Sequence, residues 1–353
     1  MNLTDLWSKI PPLIQYILIF LAVSSVGGGI AAYLTYVERK IIAAIQSRKG
    51  PNVVGKFGLL QPIADLIKLL GKEDILPLQA DAPLFRSAPY LVFLSAVLSL
   101  VIVPFGKNMI AGDLHIGVVY FMAVSSLVVI GIFLAGWSSN NKYSLYGAMR
   151  SIAQLVSYEV PMGFALLGIV VLTSSAKISE IIHYQAQGMI WLPQTAWWVF
   201  PPRWLIFPQF LGFLVFLIAS IAESNRTPFD LPEAESELVA GYSTEYSGIR
   251  FGMFFAAEYL VMFINSVLIT TFYLGGWLPP WKVDEPEKIS LLASFFWLYL
   301  KVGVCILLFI WVRATLPRFR VDQLMGFAWK ILIPLSIVNL FIAGAEALIW
   351  LPL

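Results

Sequence analysis

The chain has 353 residues, of which 59% are hydrophobic and 12% are charged, and its formal net charge is +2. An ordinary soluble domain has about 25% charged and about 45–50% apolar residues, so this composition excludes a soluble globule and a disordered chain. The near-neutral charge also offers no basic surface for a nucleic acid backbone. The sequence therefore predicts an all-α polytopic membrane protein.

Eight stretches are apolar and long enough for a spanning helix, which needs about 20 residues. We predict spans at residues 13–36, 87–106, 116–137, 150–174, 204–222, 251–274, 291–312 and 328–350. With short amphipathic interfacial and loop helices between them, residues 1–353 form a single transmembrane domain. The first apolar run lacks a small-residue cleavage site, so we expect a retained span and not a signal peptide.

Lysine and arginine are distributed unequally between the two sides of the predicted bundle. The loops after spans one, three, five and seven carry most of them, among them Arg39, Lys40, Arg48, Lys142, Arg150, Arg226, Arg250, Arg313, Arg318 and Arg320. By the positive-inside rule these loops are cytoplasmic, and both termini lie on the outer side.

The first cytoplasmic loop, residues 37–86, contains an amphipathic stretch over residues 57–72. Pro62 suits a first helical turn and Gly71 a helix end. A helix of about 12 residues is too short to span and is expected to lie in the membrane interface. Two interpretations stay open: a surface anchor, or the wall of a lateral opening for a lipid-soluble substrate. Its apolar residues recur at spacings of three and four, as Leu59, Leu60, Ile63, Leu66, Ile67 and Leu70.

Two carboxylates lie deep inside predicted spans. Glu159 and Glu258 are each about eight to ten residues into a span, which places them about 12–15 Å deep at 1.5 Å per residue. A charge there costs at least about 2.5–3.5 kcal/mol, so such residues usually face a cavity or a proton path. Neutral acids that fix helix packing are the alternative. Glu346 and Lys301 lie nearer their helix ends and are expected to snorkel or pack.

The cytoplasmic loop at residues 223–250 combines acids with apolar side chains. Asp230, Pro232 and Glu233 form a capping-box pattern for a helix that Gly241 would end. The apolar side chains between the acids indicate burial against a partner protein. Crowded, partly desolvated carboxylates have raised and coupled pKa values, which suits proton uptake and release near neutral pH. The acids are Glu223, Asp230, Glu233, Glu235, Glu237 and Glu245, and the apolar residues are Phe229, Leu231, Leu238, Val239, Tyr242 and Tyr246.

One cysteine, Cys305, and two separated histidines, His115 and His183, limit the redox chemistry of the chain. A single thiol excludes an internal disulfide and a cysteine-ligated iron–sulfur cluster. The two histidines are badly placed to ligate a haem together. We therefore expect no metal site and no redox cofactor in this chain.

Three sequence blocks resemble those of a known family. They are residues 37–65, including Val37-Glu-Arg-Lys40 and Gly50-Pro-Asn52; residues 138–144 with Ser157-Tyr-Glu159; and the loop Glu223–Gly248. With them the chain resembles the quinone-site membrane subunit (the H subunit in bacterial naming) of proton-pumping NADH:quinone oxidoreductase, respiratory complex I. The similarity extends over nearly the whole chain, apart from the outer loop at 175–203 and the C-terminus.

The resemblance implies a subunit that joins a peripheral electron-transfer arm to the membrane arm and takes ubiquinone or menaquinone from the bilayer. Ala64, on the apolar side of the predicted interfacial helix, is expected at the quinone entrance. Positions that line or support the quinone tunnel in the family are matched by Arg39, Arg48, Asp65, Arg226 and Phe229. A chain of acids that starts the proton-coupling path is matched by Glu159, Glu223, Asp230, Glu233, Glu235, Glu237 and Glu258, and Glu245 closes the same acidic loop.

The resemblance also implies the partners and the location. The partners are hydrophilic peripheral-arm subunits next to the last iron–sulfur cluster, and small membrane-arm subunits that lead to antiporter-like subunits. Flavin and iron–sulfur clusters would lie on partner subunits, and the location would be the bacterial plasma (inner) membrane. Two alternatives stay open: a homologous subunit of a proton-pumping membrane-bound hydrogenase, and a stand-alone cation/proton antiporter.

Overall fold

The computed structural model describes residues 11–186, 204–231, 240–281 and 288–350. Short 3-10 turns lie at Lys56–Gly58, Leu100–Ile102 and Gly241–Ser243, and a π-helical turn lies at Ala328–Leu332. The helices in these ranges are α1 (Pro12–Ile45), α2 (Gln61–Gly71), α3 (Ala82–Ser99), α4 (Gly117–Ser138), α5 (Lys142–Thr173), α6 (Ile178–Ala186), α7 (Phe210–Glu223), α8 (Gly248–Tyr273), α9 (Leu291–Thr315), α10 (Val321–Phe327) and α11 (Ile333–Trp350).

In the described ranges, seven helical stretches are long and apolar enough to cross a membrane. The remaining predicted span, residues 204–222, corresponds to α7. This helix is apolar but has only 14 residues, and it begins at Phe210. An all-α polytopic membrane protein with about eight spans is confirmed. The seven are Ile17–Ile45, Ala82–Ile102, Gly117–Ser138, Lys142–Thr173, Gly248–Tyr273, Leu291–Thr315 and Val321–Ile349.

Two helices extend beyond the apolar stretches that predicted them. Helix α1 continues to Ile45, so the block Val37–Lys40 is helical and not part of a loop. Helix α5 begins at Lys142 instead of 150, where the Asn141 side chain caps it by accepting from the Tyr143 N–H at 2.9 Å. A hydropathy boundary falls where polar residues begin, whereas a helix ends where its backbone groups find other partners.

Helix α8 lies at the centre of the bundle. Its most apolar stretch is 78% buried, and it packs against α1, α3, α7 and α9. Helix α5 packs against α4, α7 and α11. Its Gly147 lets it approach the turn at 241–243, because an added Cβ would lie 2.6 Å from the Gly241 Cα. The two helices that carry Glu159 and Glu258 are therefore held inside the protein.

Lys301 does not snorkel, contrary to one predicted role. Its side chain is buried, and its Nζ donates to the carbonyls of Leu274, Gly276 and Leu278 at 2.6, 3.0 and 2.6 Å. These carbonyls follow the last turn of α8, where helical backbone oxygens lack partners and favour a positive charge. Lys301 thus caps α8 from α9. Glu346 accepts from Gln209 Nε2 at 2.8 Å, as a packing role predicts.

Candidate functional site

A largely apolar groove of about 740 Å³ lies between α1, α2 and α8. Helix α2 contributes Ile63, Leu66 and Leu69, while Gly28 and Gly29 leave room on α1. The volume falls within the range of about 300–1,000 Å³ that is typical of small-molecule sites. Its lining suits an apolar chain better than a polar ligand.

A hydrogen-bonded carboxylate ties α2 to α1 at the groove. Asp65 Oδ2 accepts from Arg39 Nη1 at 2.7 Å, Oδ1 accepts from Gln61 Nε2 at 3.1 Å, and Lys68 Nζ lies 3.6 Å from Oδ1. Partial burial acts to raise the pKa of Asp65. The hydrogen bonds from Arg39 and Gln61, with the charges of Arg39 and Lys68, outweigh it and hold that pKa below 3.8. The carboxylate is therefore ionised at neutral pH.

Four residues predicted for the quinone site, Arg48, Ala64, Arg226 and Phe229, lie outside the groove lining. Arg226 lies instead beside Glu38 and Glu258. Ala64 is not among the lining residues, although its neighbours Ile63 and Asp65 are. Arg48 lies on an exposed turn and donates to Gln46 Oε1 at 2.7 Å. Phe229 is buried against aromatic rings of α5 and of the segment after α9. Their roles in quinone binding stay predictions.

A largely buried cluster of four charged residues, the charge cluster, comprises Glu38, Arg226, Glu258 and Arg313, of which Arg313 is partly exposed. Arg226 lies between two acids, with Nη1 3.8 Å from Glu38 Oε1 and Nη2 3.7 Å from Glu258 Oε2. Its guanidinium also lies 4.1 Å from the ring centroid of Tyr259. Arg313 donates from α9 to Glu38. Opposite charges thus lie next to one another in a largely buried site, as buried ions require.

The charge cluster and the groove share the same two helices. On α1, Glu38 belongs to the cluster and Arg39 lines the groove; on α8, Glu258 belongs to the cluster and Ala256 lines the groove. A helix with its side chains is about 10–12 Å across. A charge bound in the groove would therefore lie about one helix diameter from the cluster.

Deeper in the bundle, Glu159 and Glu223 line one cavity of about 20 Å³. Glu159 comes from α5 and Glu223 from the end of α7. Asn265 of α8 lines the same cavity and donates from Nδ2 to Glu223 Oε2 at 2.9 Å. The volume exceeds the about 10–15 Å³ that one water needs. Two carboxyl groups and one amide therefore line the same small cavity.

The acids of the 223–250 loop have separate partners where the structure describes them. Asp230 Oδ2 accepts from Arg318 Nη2 at 2.9 Å, and Glu245 Oε1 accepts from Asn141 Nδ2 at 2.6 Å. In the described ranges, no three His, Cys, Asp or Glu side chains form a possible metal site. The acids Glu233, Glu235 and Glu237, and most of the predicted loop helix, lie outside the described residues.

The aromatic residues of this loop are covered by the chain itself, so the prediction that they bury against a partner was wrong. Phe229, Leu231, Tyr242 and Tyr246 are all buried. The Tyr246 ring stacks on Phe85 with centroids 4.0 Å apart, and its hydroxyl donates to the Phe85 carbonyl at 3.2 Å. Burial raises the pKa of Tyr246 to about 12. The loop folds back onto α3 and α8 and keeps this phenol neutral.

Sequence reasoning missed Glu38 and Asn265 as site residues. Glu38 is 3% exposed and shares a buried face of α1 with Ala31 and Leu34, at spacings of three and four residues. This spacing would have predicted that Glu38 faces the core, if α1 had been extended beyond its apolar stretch. Asn265 is a lone amide within an apolar helix, and nothing in its local sequence indicates which acid it meets.

Known proteins are similar to this chain over the residues that form the groove, the charge cluster and the cavity. A family model described as NADH dehydrogenase matches residues 16–344, a range that includes the groove, the charge cluster and the cavity. The H subunit of NADH-quinone oxidoreductase from Rickettsia rickettsii is 49% identical over 306 residues, which cover 87% of this chain and 86% of the relative. The protein of the same name from Brevibacillus brevis is 48% identical over 316 residues, with coverage of 90% and 88%.

Proposed function

The chain belongs to the family of the NADH-quinone oxidoreductase H subunits, and from that premise we propose that it forms part of the quinone tunnel and couples quinone reduction to proton translocation. The observation that carries the proposal is the sharing of α1 and α8 by the apolar groove and the charge cluster. Electrons arrive from flavin and iron–sulfur clusters on partner subunits, and quinone is the substrate.

The groove is the entry for the isoprenoid tail. Its volume of about 740 Å³ and apolar lining fit a hydrocarbon chain, and α2 with its exposed Ile63 and Leu66 lies at the bilayer surface. The ion pair between Arg39 and Asp65 holds α2 in place as the wall of this opening. Of the two interpretations of the amphipathic helix, this one is favoured by the groove.

Coulomb interaction links the groove to the charge cluster. A unit charge about 10 Å from another at an effective dielectric near 20 interacts by about 1.7 kcal/mol, which exceeds one pKa unit. Negative charge on a reduced quinone therefore draws a proton toward nearby acids. Glu258 belongs to the charge cluster. Asn265 follows it by seven residues on α8, which places it about 10 Å from Glu258 along the helix axis. There Glu223 and Glu159 continue the path.

The partners and membrane orientation follow from the same family role. Hydrophilic peripheral-arm subunits dock on the basic side of the bundle, which carries the 46–81 and 224–247 segments. Small membrane-arm subunits contact the spans and lead to antiporter-like subunits. The location is the bacterial plasma (inner) membrane, and by the positive-inside rule the basic side is cytoplasmic and the termini are outside.

Glutamine replacements of the deep acids test the proposal. In the intact complex in sealed vesicles, Glu159→Gln and Glu258→Gln are expected to lower NADH:quinone reductase activity and proton pumping together by about tenfold or more, equivalent to about 1.4 kcal/mol of barrier. Oxidation of NADH with an artificial acceptor is expected to persist, because that reaction needs no quinone. The corresponding aspartate variants are expected to keep part of the function.

Glu180→Gln is the matched control, because Glu180 is an exposed acid on α6 that contributes nothing to the cluster or cavity. It is expected to pump at the wild-type rate. If the Glu159→Gln and Glu258→Gln complexes both pump at the wild-type rate, the deep acids serve only in packing and the proposed coupling is overturned.

A further inference from the structure

Asn265 is a fully buried amide at the junction of α7 and α8. Its Nδ2 donates to Glu223 Oε2 at 2.9 Å and approaches the Ser220 carbonyl at 3.5 Å. Its Oδ1 is buried and finds no hydrogen-bond partner in the part of the chain that the structure describes. Buried amide oxygens are almost always hydrogen-bonded, so this acceptor calls for a donor.

The cavity beside Asn265 has the size of a water site, and its mostly apolar lining includes several polar side chains. Its volume of about 20 Å³ accommodates one water. Glu159, Glu223 and Asn265 line it, together with the hydroxyl-bearing Ser99 and Ser125. A buried water needs two to four polar partners, and the two carboxyl groups with the amide oxygen supply that number. An amide oxygen accepts hydrogen bonds and cannot give one, so the occupant must donate, as water does.

We propose that Asn265 is a positioning residue that fixes the Glu223 carboxyl and a bridging water between Glu223 and Glu159. The inference rests on the proposed proton-coupling function and deepens it. Asn265 holds one oxygen of Glu223, and the water contacts Asn265 Oδ1 and both acids. In the transfer step, Glu223 gives its proton to the water while the water gives a proton to Glu159, so the water is regenerated and one proton has moved.

An apolar replacement of similar size removes the positioning and keeps the packing. In the intact complex, Asn265→Leu is expected to lower the kcat of quinone reduction and the rate of pumping at least fivefold while the KM for quinone stays unchanged. Ser266→Ala is the matched control. Ser266 is the adjacent residue of α8, is equally buried, and its hydroxyl donates to the Met262 carbonyl of its own helix at 2.8 Å.

An acidic replacement separates positioning from packing. In the Asn265→Asp complex, the introduced carboxyl donates to Glu223 while it is protonated and faces a second carboxylate when it is ionised. Activity relative to wild type is therefore expected to be at least threefold higher at pH 6 than at pH 8. A side chain that merely fills space gives the same ratio at both pH values.

The outcomes distinguish this inference from the function on which it rests. If Glu159→Gln abolishes pumping while Asn265→Leu behaves like Ser266→Ala, the coupling stands and the role of Asn265 is overturned. If Glu159→Gln and Glu258→Gln also pump normally, the coupling and the role of Asn265 are both overturned. If the Asn265→Leu complex does not assemble, the Asn265→Asp ratio decides: a pH-dependent ratio supports positioning, and a constant ratio overturns it.

Discussion

At the scale of single residues, Arg226 is a buried charge held between two acids. It is 4% exposed and lies between Glu38 and Glu258, with the Tyr259 ring on one face. A buried ion pair contributes little net stability, because desolvation offsets the attraction. Removing one partner nevertheless costs about 3–5 kcal/mol, since the other charge is then buried alone.

Replacing Arg226 by Met is therefore expected to destabilise the protein by about 3 kcal/mol. The midpoint temperature for loss of quinone reductase activity in the purified complex measures this. Arg86→Met, at an exposed arginine of α3, is the control and is expected to leave the midpoint unchanged. Equal midpoints for the two variants would contradict a structural role for the charge cluster.

The Asp65 link has a defined pH range. Because its pKa is held below 3.8, the carboxylate stabilises the folded arrangement at every pH above about 4, and that contribution is lost as pH falls through the lowered value. Asp65→Asn is therefore expected to raise the KM for quinone to the same extent at pH 6 and pH 8, because α2 loses its link to Arg39. A pH-dependent difference across that range would contradict this assignment.

At the scale of elements, one face of α1 packs in the core and another lines the groove. Leu34 and Glu38 face the core, whereas Gly28 and Gly29 line the groove, and added Cβ atoms on these glycines would meet nothing within 4 Å. The glycines keep the groove open. A bulky side chain on this face narrows the opening without disturbing the core.

Gly29→Leu is accordingly expected to raise the KM for long-tailed quinones about tenfold, equivalent to about 1.4 kcal/mol, with a smaller effect on short-tailed analogues. Steady-state kinetics with quinones of both lengths measures it. Gly303→Leu is the control, because this glycine of α9 also has open space and does not line the groove. The same kinetics with Ala64→Leu test the residue that the sequence predicted at the quinone entrance. Equal changes for all acceptors would indicate a folding defect instead.

At the scale of the whole molecule, the basic side exposes apolar residues outside the spans. Val53 and Leu78 are almost completely exposed. Leu78 borders a cavity of about 650 Å³ that also contains Asn141, Lys142 and Glu245. Apolar patches rimmed by polar residues mark protein interaction sites, and Ile75 is exposed close to Leu78 along the same segment. The surface around Leu78, and not the buried aromatic residues of the acidic loop, is therefore the expected docking surface for a hydrophilic partner.

Leu78→Asp is expected to reduce co-purification of the peripheral-arm subunits several-fold under gentle detergent extraction. Leu114→Asp introduces the same charge at an exposed leucine beyond the other end of the bundle and is expected to leave co-purification intact. Subunit stoichiometry after affinity purification measures both. Unchanged stoichiometry in the Leu78→Asp preparation would show that the partner docks elsewhere.

The sequence by itself determined the class of the protein, the approximate positions of the long apolar helices and the short amphipathic helix α2. These properties depend on local composition and period: a run of apolar residues predicts a span, and spacings of three and four predict α2. The placement of Glu159 and Glu258 inside long apolar helices followed from their positions within those runs. Helix ends were less predictable, because hydropathy registers neither the continuation of α1 through Glu38 nor the cap that Asn141 gives to α5.

The tertiary structure alone decided which charges meet. Glu38 meets Arg226 and Arg313 across long stretches of chain, and Glu223 meets Asn265 across two helices. It also showed that Phe229 and Tyr246 are buried within the chain and that Lys301 caps α8. The physical reason is that side-chain pairing between helices depends on which helix faces pack together. A periodic pattern predicts that a face is buried, but it does not indicate which helix packs against that face.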